Sequence, residues 1–177
     1  MEIRTTTNCE SIELYLDDKL MGKQETANFT NNTIVWYLPY NPGKLEAKGY
    51  NGDKEVAHYQ LVTSKNAANA IINADRTKIK ADGQDLAFVI IEVVDKNGNV
   101  VPDAANEVEF SVRGTGMLEA TGSADLKDEK SYTAPIRKVW KGRAIAVIRS
   151  TKQNGKVKLK VASKGLSPAS VIIKTKR

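Results

Sequence analysis

The chain has one cysteine, one histidine, no stretch of helical periodicity and no long apolar run. A lone Cys9 excludes an internal disulfide and any cysteine-based zinc site, and reads as a small buried hydrophobe beside a strand. His58 has no Ser, Cys or acid at a recognisable spacing, so no triad is expected; it falls with Val56 and Gln60 on a mixed strand face. No apolar run approaches the ~20 residues needed to cross a bilayer, and no charged-then-apolar leader follows Met1, so membrane insertion is not expected. No Gly-rich phosphate loop leads from a strand into a helix, and no cofactor is expected. Motifs that interleave aromatics with basic residues are missing too, which argues against nucleic acid as a partner.

Acidic residues also run out. None follows Lys130, while 13 Lys and Arg remain; residues 1–64 carry a net charge of −3 and residues 65–177 a net charge of +9. Lys156, Lys158 and Lys160 alternate with Val157, Leu159 and Val161, the pattern of a strand with one solvated face. An anionic partner is the alternative use of such a face.

What is present is strand grammar. Runs at 2–5, 11–16, 19–24, 33–38, 44–50 and 54–63 are separated by Asp17-Asp18, Asn31-Asn32, Pro42-Gly43 and Asn51-Gly52, with Pro42-Gly43 expected at the inner positions of a type II turn. Ile34, Trp36 and Leu38 share one face, which places Trp36 in a core. A strand-like run starting at Glu2 is expected of a chain cut from something longer. The polar stretch 64–69 reads as a linker. Beyond it, strands are expected at 70–74, 78–80, 86–94, 107–113, 117–121, 136–139, 142–150, 156–163 and 169–175, with residues 122–133 as the longest loop. The expected architecture is all-β, two tandem immunoglobulin-like antiparallel β-sandwiches over residues 1–64 and 65–177. One strand breaks the pattern: Ala87, Val89, Ile91 and Val93 form a core face, yet Leu86, Phe88, Ile90 and Val94 lie opposite. Both faces are therefore expected to be covered, by a segment within 65–177, by the first sandwich, by a partner copy or, in a longer parent protein, by a neighbouring domain.

The segments 7–23 (TNCESIELYLDDKLMGK) and 36–57 (WYLPYNPGKLEAKGYNGDKEVA) resemble the C-terminal region of glycoside hydrolase family 2 enzymes of the β-galactosidase type. Residues 74–104 resemble a further immunoglobulin-like module of those enzymes, itself similar to invasin and intimin repeats. The resemblance departs at Asp17-Asp18, where the family often has Asn-Gly, and the (β/α)₈ barrel with its two catalytic glutamates is absent. It implies a non-catalytic accessory region that buttresses the barrel or aids assembly, with the catalytic and other domains of the parent enzyme as partners and polysaccharide as a further one. A carbohydrate-binding module and the stalk repeats of a surface adhesin are the alternatives. The expected setting is bacterial, periplasmic or extracellular.

Glycoside hydrolysis needs two carboxylates ~5–5.5 or ~6.5–9.5 Å apart across a sugar-sized cleft, one of them held protonated. The acids here fall mostly on polar strand faces or in turns, and no catalytic residue is assigned. Asn106-Glu107 echoes the family's acid/base pair but heads a sandwich strand. Asp95, Asn97, Asn99 and Asp103 bunch oxygen ligands around one loop; Ca²⁺ could use them, although turn chemistry is the closer match and no metal is assigned. The candidate carbohydrate contacts are Trp140, flanked by Lys138, Lys141 and Arg143, and Tyr132 in the long loop.

Overall fold

Short alternating runs broken by Asp, Asn and Gly pairs leave little room for a helix, and the chain forms fifteen strands with only two 3-10 turns, at Thr26–Asn28 and Thr30–Asn32. A computed structural model describes all 177 residues. It shows two immunoglobulin-like β-sandwiches in tandem, the compact units being Met1–Thr63 and Ser64–Arg177.

The first unit comprises β1 (Glu2–Thr6), β2 (Ser11–Leu16), β3 (Lys19–Glu25), β4 (Thr33–Tyr37), β5 (Lys44–Asn51) and β6 (Lys54–Val62). One sheet is the pair β1-β4 and the other has the order β3-β2-β5-β6, all antiparallel. Asp17 and Asp18 take φ of +48° and +64°, the conformation a type I′ hairpin demands, so this pair does the work of Asn-Gly. The reading of Pro42-Gly43 as a type II turn fails: Gly43 has φ +158°, far from the roughly +80° that turn needs. The Asp17 carboxylate occupies the place where a Cβ on Gly43 would stand, and accepts the Lys44 N–H at 2.8 Å. Between β5 and β6 the unpaired residues are Gly52 and Asp53, one position later than Asn51-Gly52, because Asn51 still pairs with Lys54. Cys9, Ile12, Leu14, Ile34 and Trp36 form the core, with Trp36 4% exposed. Every residue of β6, by contrast, is exposed.

The second unit comprises β7 (Asn69–Ala74), β8 (Lys78–Lys80), β9 (Leu86–Val94), β10 (Glu107–Gly114), β11 (Gly116–Gly122), β12 (Ile136–Lys138), β13 (Arg143–Ser150), β14 (Gly155–Ala162) and β15 (Ala169–Lys176). Its sheets have the orders β12-β10-β14-β15-β8 and β11-β13-β9-β7; β8 joins β15 in parallel and every other pairing is antiparallel. Ala87, Val89, Ile91 and Val93 meet Val108, Phe110, Val157, Leu159 and Ile173 in a core closed to solvent. Within the second unit the opposite face of β9 is only partly covered, which leaves cover from outside that unit as the form of the expectation that still stands. Val94 is buried, but Phe88 and Ile90 are 41% and 46% exposed, because both sheets of the unit spend their apolar faces on the shared core.

The loop at 123–135 is polar yet ordered. Arg137 lies opposite Val108 in the β10–β12 register, so the pleat turns its side chain inward, where it is 1% exposed. Its guanidinium donates to Asp128 Oδ2 (2.8 Å), to the carbonyls of Lys130 (3.1 Å), Ser131 (2.7 Å) and Thr121 (3.0 Å), and to Thr121 Oγ1 (3.1 Å). A buried cation is tolerated when paired and fully hydrogen-bonded, and here the loop supplies the acceptors.

Candidate functional site

Trp140 sits where a strand pairing ends in a tight turn. Trp140 and Arg143 exchange backbone hydrogen bonds at 2.8 and 3.0 Å around Lys141 (φ +49°) and Gly142 (φ +75°), a two-residue type I′ turn. Gly142 is required twice over. Its φ is positive, and a Cβ there would stand 2.5 Å from the Val101 carbonyl oxygen, while its own carbonyl accepts the Val93 N–H at 2.8 Å. The indole that this turn holds is 42% exposed and lines a hollow of about 250 Å³. Pro102, Ala104 and Val139 supply apolar surface there, and Asp103, Asp125, Lys138 and Lys141 supply charge.

Tyr132 is also exposed but does not line that hollow. Its ring edge lies 4.0 Å from where a Cβ on Gly122 would stand, and Ile145 is 3.5 Å from the same point. Tyr132 therefore borders the outer face of the β11-β13-β9-β7 sheet, beside Gly122 and Ile145.

That outer face is the larger feature. Register places Phe88 opposite Val147 and Ile90 opposite Ile145, with Ile71 and Met117 exposed on the flanking strands. Two ion pairs frame it, Arg143–Glu92 at 2.8 Å and Arg149–Glu119 at 2.7 Å. The alternation in β9 announces this face; its neighbours from β13 become visible only through register.

The other candidates resolve as follows. Asp95 is buried and its carboxylate accepts N–H groups from Lys65 (2.9 Å), Asn97 (2.8 Å) and Asn99 (2.9 Å), together with the Asn99 side-chain amide (3.2 Å). These donors, the Lys65 N–H foremost, hold its pKa down at about 2, and they occupy the lone pairs a cation would need. Glu107 pairs with Lys130 at 2.8 Å, which lowers its pKa and makes it an anion in solvent. His58 does have an acid partner, contrary to the reading from spacing: its Nε2 is 3.0 Å from Glu46 Oε1 across the β5–β6 pair, and Lys44 Nζ is 2.6 Å from Glu46 Oε2. The bond from Lys44 keeps the buried Glu46 carboxyl below its usual pKa. Nothing in sequence spacing signals this cluster, because its members meet only through strand register.

The fold thus defines the class, a tandem pair of immunoglobulin-like sandwiches with an unspent apolar face. Comparison with known proteins takes the assignment to a family. The family described as glycoside hydrolase family 2 C-terminal domain 5 matches residues 71–172, and a domain of unknown function (DUF4982) matches residues 1–57. The β-galactosidase BoGH2A of Bacteroides ovatus is 31% identical over 160 residues, covering 90% of this chain and 19% of that protein. A solved glycosyl hydrolase family 2 member from Bacteroides cellulosilyticus superposes with a TM-score of 0.95 at 36% identity, over 99% of this chain and 23% of that one. A β-glycosidase from Bacteroides vulgatus gives 0.92 at 26% identity, over 98% and 22%. The chain belongs to glycoside hydrolase family 2 as a C-terminal domain, and it spans about a fifth of the length of the curated relatives it matches.

Proposed function

We propose that the chain is a non-catalytic accessory region of a β-galactosidase-like glycoside hydrolase, and that it docks on another domain of the parent enzyme through the outer face of the β11-β13-β9-β7 sheet. The observation that carries this reading is the apolar stripe of Phe88, Ile90, Ile145 and Val147 on that face; contiguous apolar surface of this kind marks interaction sites. The relatives support the identity of the occupant, since four-fifths of their length lies outside the part this chain matches. The ionisation pattern supports the absence of catalysis. A glycosidase acid must be held protonated, whereas the Glu46, Glu107 and Asp128 carboxyls are all shifted downward by their Lys and Arg partners.

Hydroxyl-radical footprinting tests the docking. Phe88 and Met117 are expected to label strongly in this chain alone and weakly in the parent enzyme. Equal labelling in both overturns the reading, as does self-association of the chain that Phe88→Lys abolishes, which would make a second copy the occupant.

The hollow at Trp140 favours a second reading, a contact for one pyranose ring. At about 250 Å³ it is just smaller than the roughly 300–1,000 Å³ of drug-sized sites, and an indole wall with carboxylates and ammonium groups at the rim suits a sugar's apolar face and hydroxyls. Affinity electrophoresis through β-1,4-galactan should then retard the chain, and Trp140→Ala should remove the retardation while leaving the thermal unfolding midpoint in place. Migration unaffected by galactan ends this reading.

A further inference from the structure

The outer face of the five-stranded sheet carries an arrangement that costs stability. Register sets Arg113 opposite Lys158, Lys156 opposite Lys174, and Lys174 opposite Lys78, each pair pointing away from the core into solvent. Like charges placed directly across a strand pair are destabilising. None of these side chains has a carboxylate within 4.0 Å, although eleven ion pairs form elsewhere in the chain. Lysines on an exposed edge strand discourage edge-to-edge pairing, but β14 is the central strand of this sheet, so that explanation does not reach Lys156, Lys158 or Lys160. Between them, Ser111, Arg113, Lys158 and Lys160 line an open hollow of about 320 Å³.

We infer that this face binds an acidic polysaccharide, a chain bearing carboxylates on successive sugar units. Strand geometry makes it a grid of positive charge, with cations roughly 7 Å apart along β14 and about 5 Å apart between strands. The acids of this face, Glu107 and Glu109, lie at the other end of β10 and pair with none of these cations, so a linear polyanion fits the grid by supplying the counter-charge that part of the sheet lacks and relieving the repulsion between opposed cations. The shape and composition of the face argue against other polyanions. It carries no aromatic ring for bases to stack on, and it is the face of a five-stranded sheet rather than a helix or two-stranded ribbon that could enter a groove. Ile136 and Ile172, on different strands, are its exposed large apolar residues, too little to anchor the face in a lipid surface. The choice of a saccharide rests on the accessory reading above; the electrostatic argument does not.

Lys158→Glu decides the matter, because it places a carboxylate opposite Arg113 and should raise the thermal unfolding midpoint while weakening binding. The probes are polygalacturonate, neutral β-1,4-galactan and double-stranded DNA, each titrated into the purified chain at low and moderate salt. The expected results are binding to polygalacturonate that falls with salt, no binding to galactan at this face, and at least about a tenfold loss of polygalacturonate affinity in the Lys158→Glu, Lys160→Glu variant. A control of equal charge change on the first unit, Lys19→Glu with Lys23→Glu, should leave the affinity within about twofold. No binding of polygalacturonate, an equal loss in the control, or DNA binding as tight as polygalacturonate overturns the inference. None of these readouts involves the apolar docking face, so the footprinting result and this one fail separately.

Discussion

Arg137 shows at the scale of one residue how a polar loop is given a structure. Its guanidinium is buried and spends its donors on Asp128, Thr121 and two loop carbonyls. Arg137→Met leaves those acceptors without a partner, and the expected loss is about 3–5 kcal/mol, the range for breaking a buried pair, read from urea denaturation of the second unit. Proteolysis within 123–135 should quicken in parallel. Trp36, packed with Ile34 and Leu14, should cost roughly 3–5 kcal/mol as Trp36→Ala, and an unchanged denaturation curve would place the ring in solvent. Asp95 sets a pH dependence. Its folded pKa, about 2, lies below the ordinary carboxylate value of 3.8, so the stability it contributes is present above about pH 4 and is lost as pH falls towards 2. Asp95→Asn should flatten the acid limb of the second unit's stability in that window, and a limb of unchanged slope would contradict the assignment.

At the scale of elements, β9 carries two opposite instructions in one strand. Val89 and Ile91 are fully buried while Phe88 and Ile90 face solvent. Phe88→Lys is therefore expected to change the stability of this chain by no more than about 0.5 kcal/mol, whereas Val89→Lys, which buries an unpaired ammonium, should prevent the second unit from folding. Circular dichroism melts of the two variants separate these outcomes. The turn between Trp140 and Arg143 depends on Gly142 in the same way: Gly142→Ala meets both a positive φ and the Val101 carbonyl, and a loss above about 1 kcal/mol is expected by denaturation.

At the scale of the whole molecule, chemistry is expected to be absent. Purified chain should not turn over aryl β-galactosides, because Glu46, Glu107 and Asp128 are each tied to a Lys or Arg rather than set as a pair across a sugar-sized cleft. Turnover that disappears on mutating an acid of this chain would reverse that view.

The strand pattern was legible in the sequence almost throughout, because alternation and turn residues act locally: the expected runs at 86–94 and 78–80 coincide with β9 and β8 to the residue. The buried place of Trp36 followed from the same period of two. Arg137 was half legible, since pleat alternation with the buried Val139 turns it inward, although a charge is not what a core position ordinarily holds. What tertiary structure alone decided is everything that depends on register between distant strands. It set His58 against Glu46, laid Phe88 and Ile90 beside Val147 and Ile145, and opposed Lys156 to Lys174. Backbone hydrogen bonds across a sheet are made by groups common to every residue, so a strand's own side chains say which face it shows but not which strand it will meet.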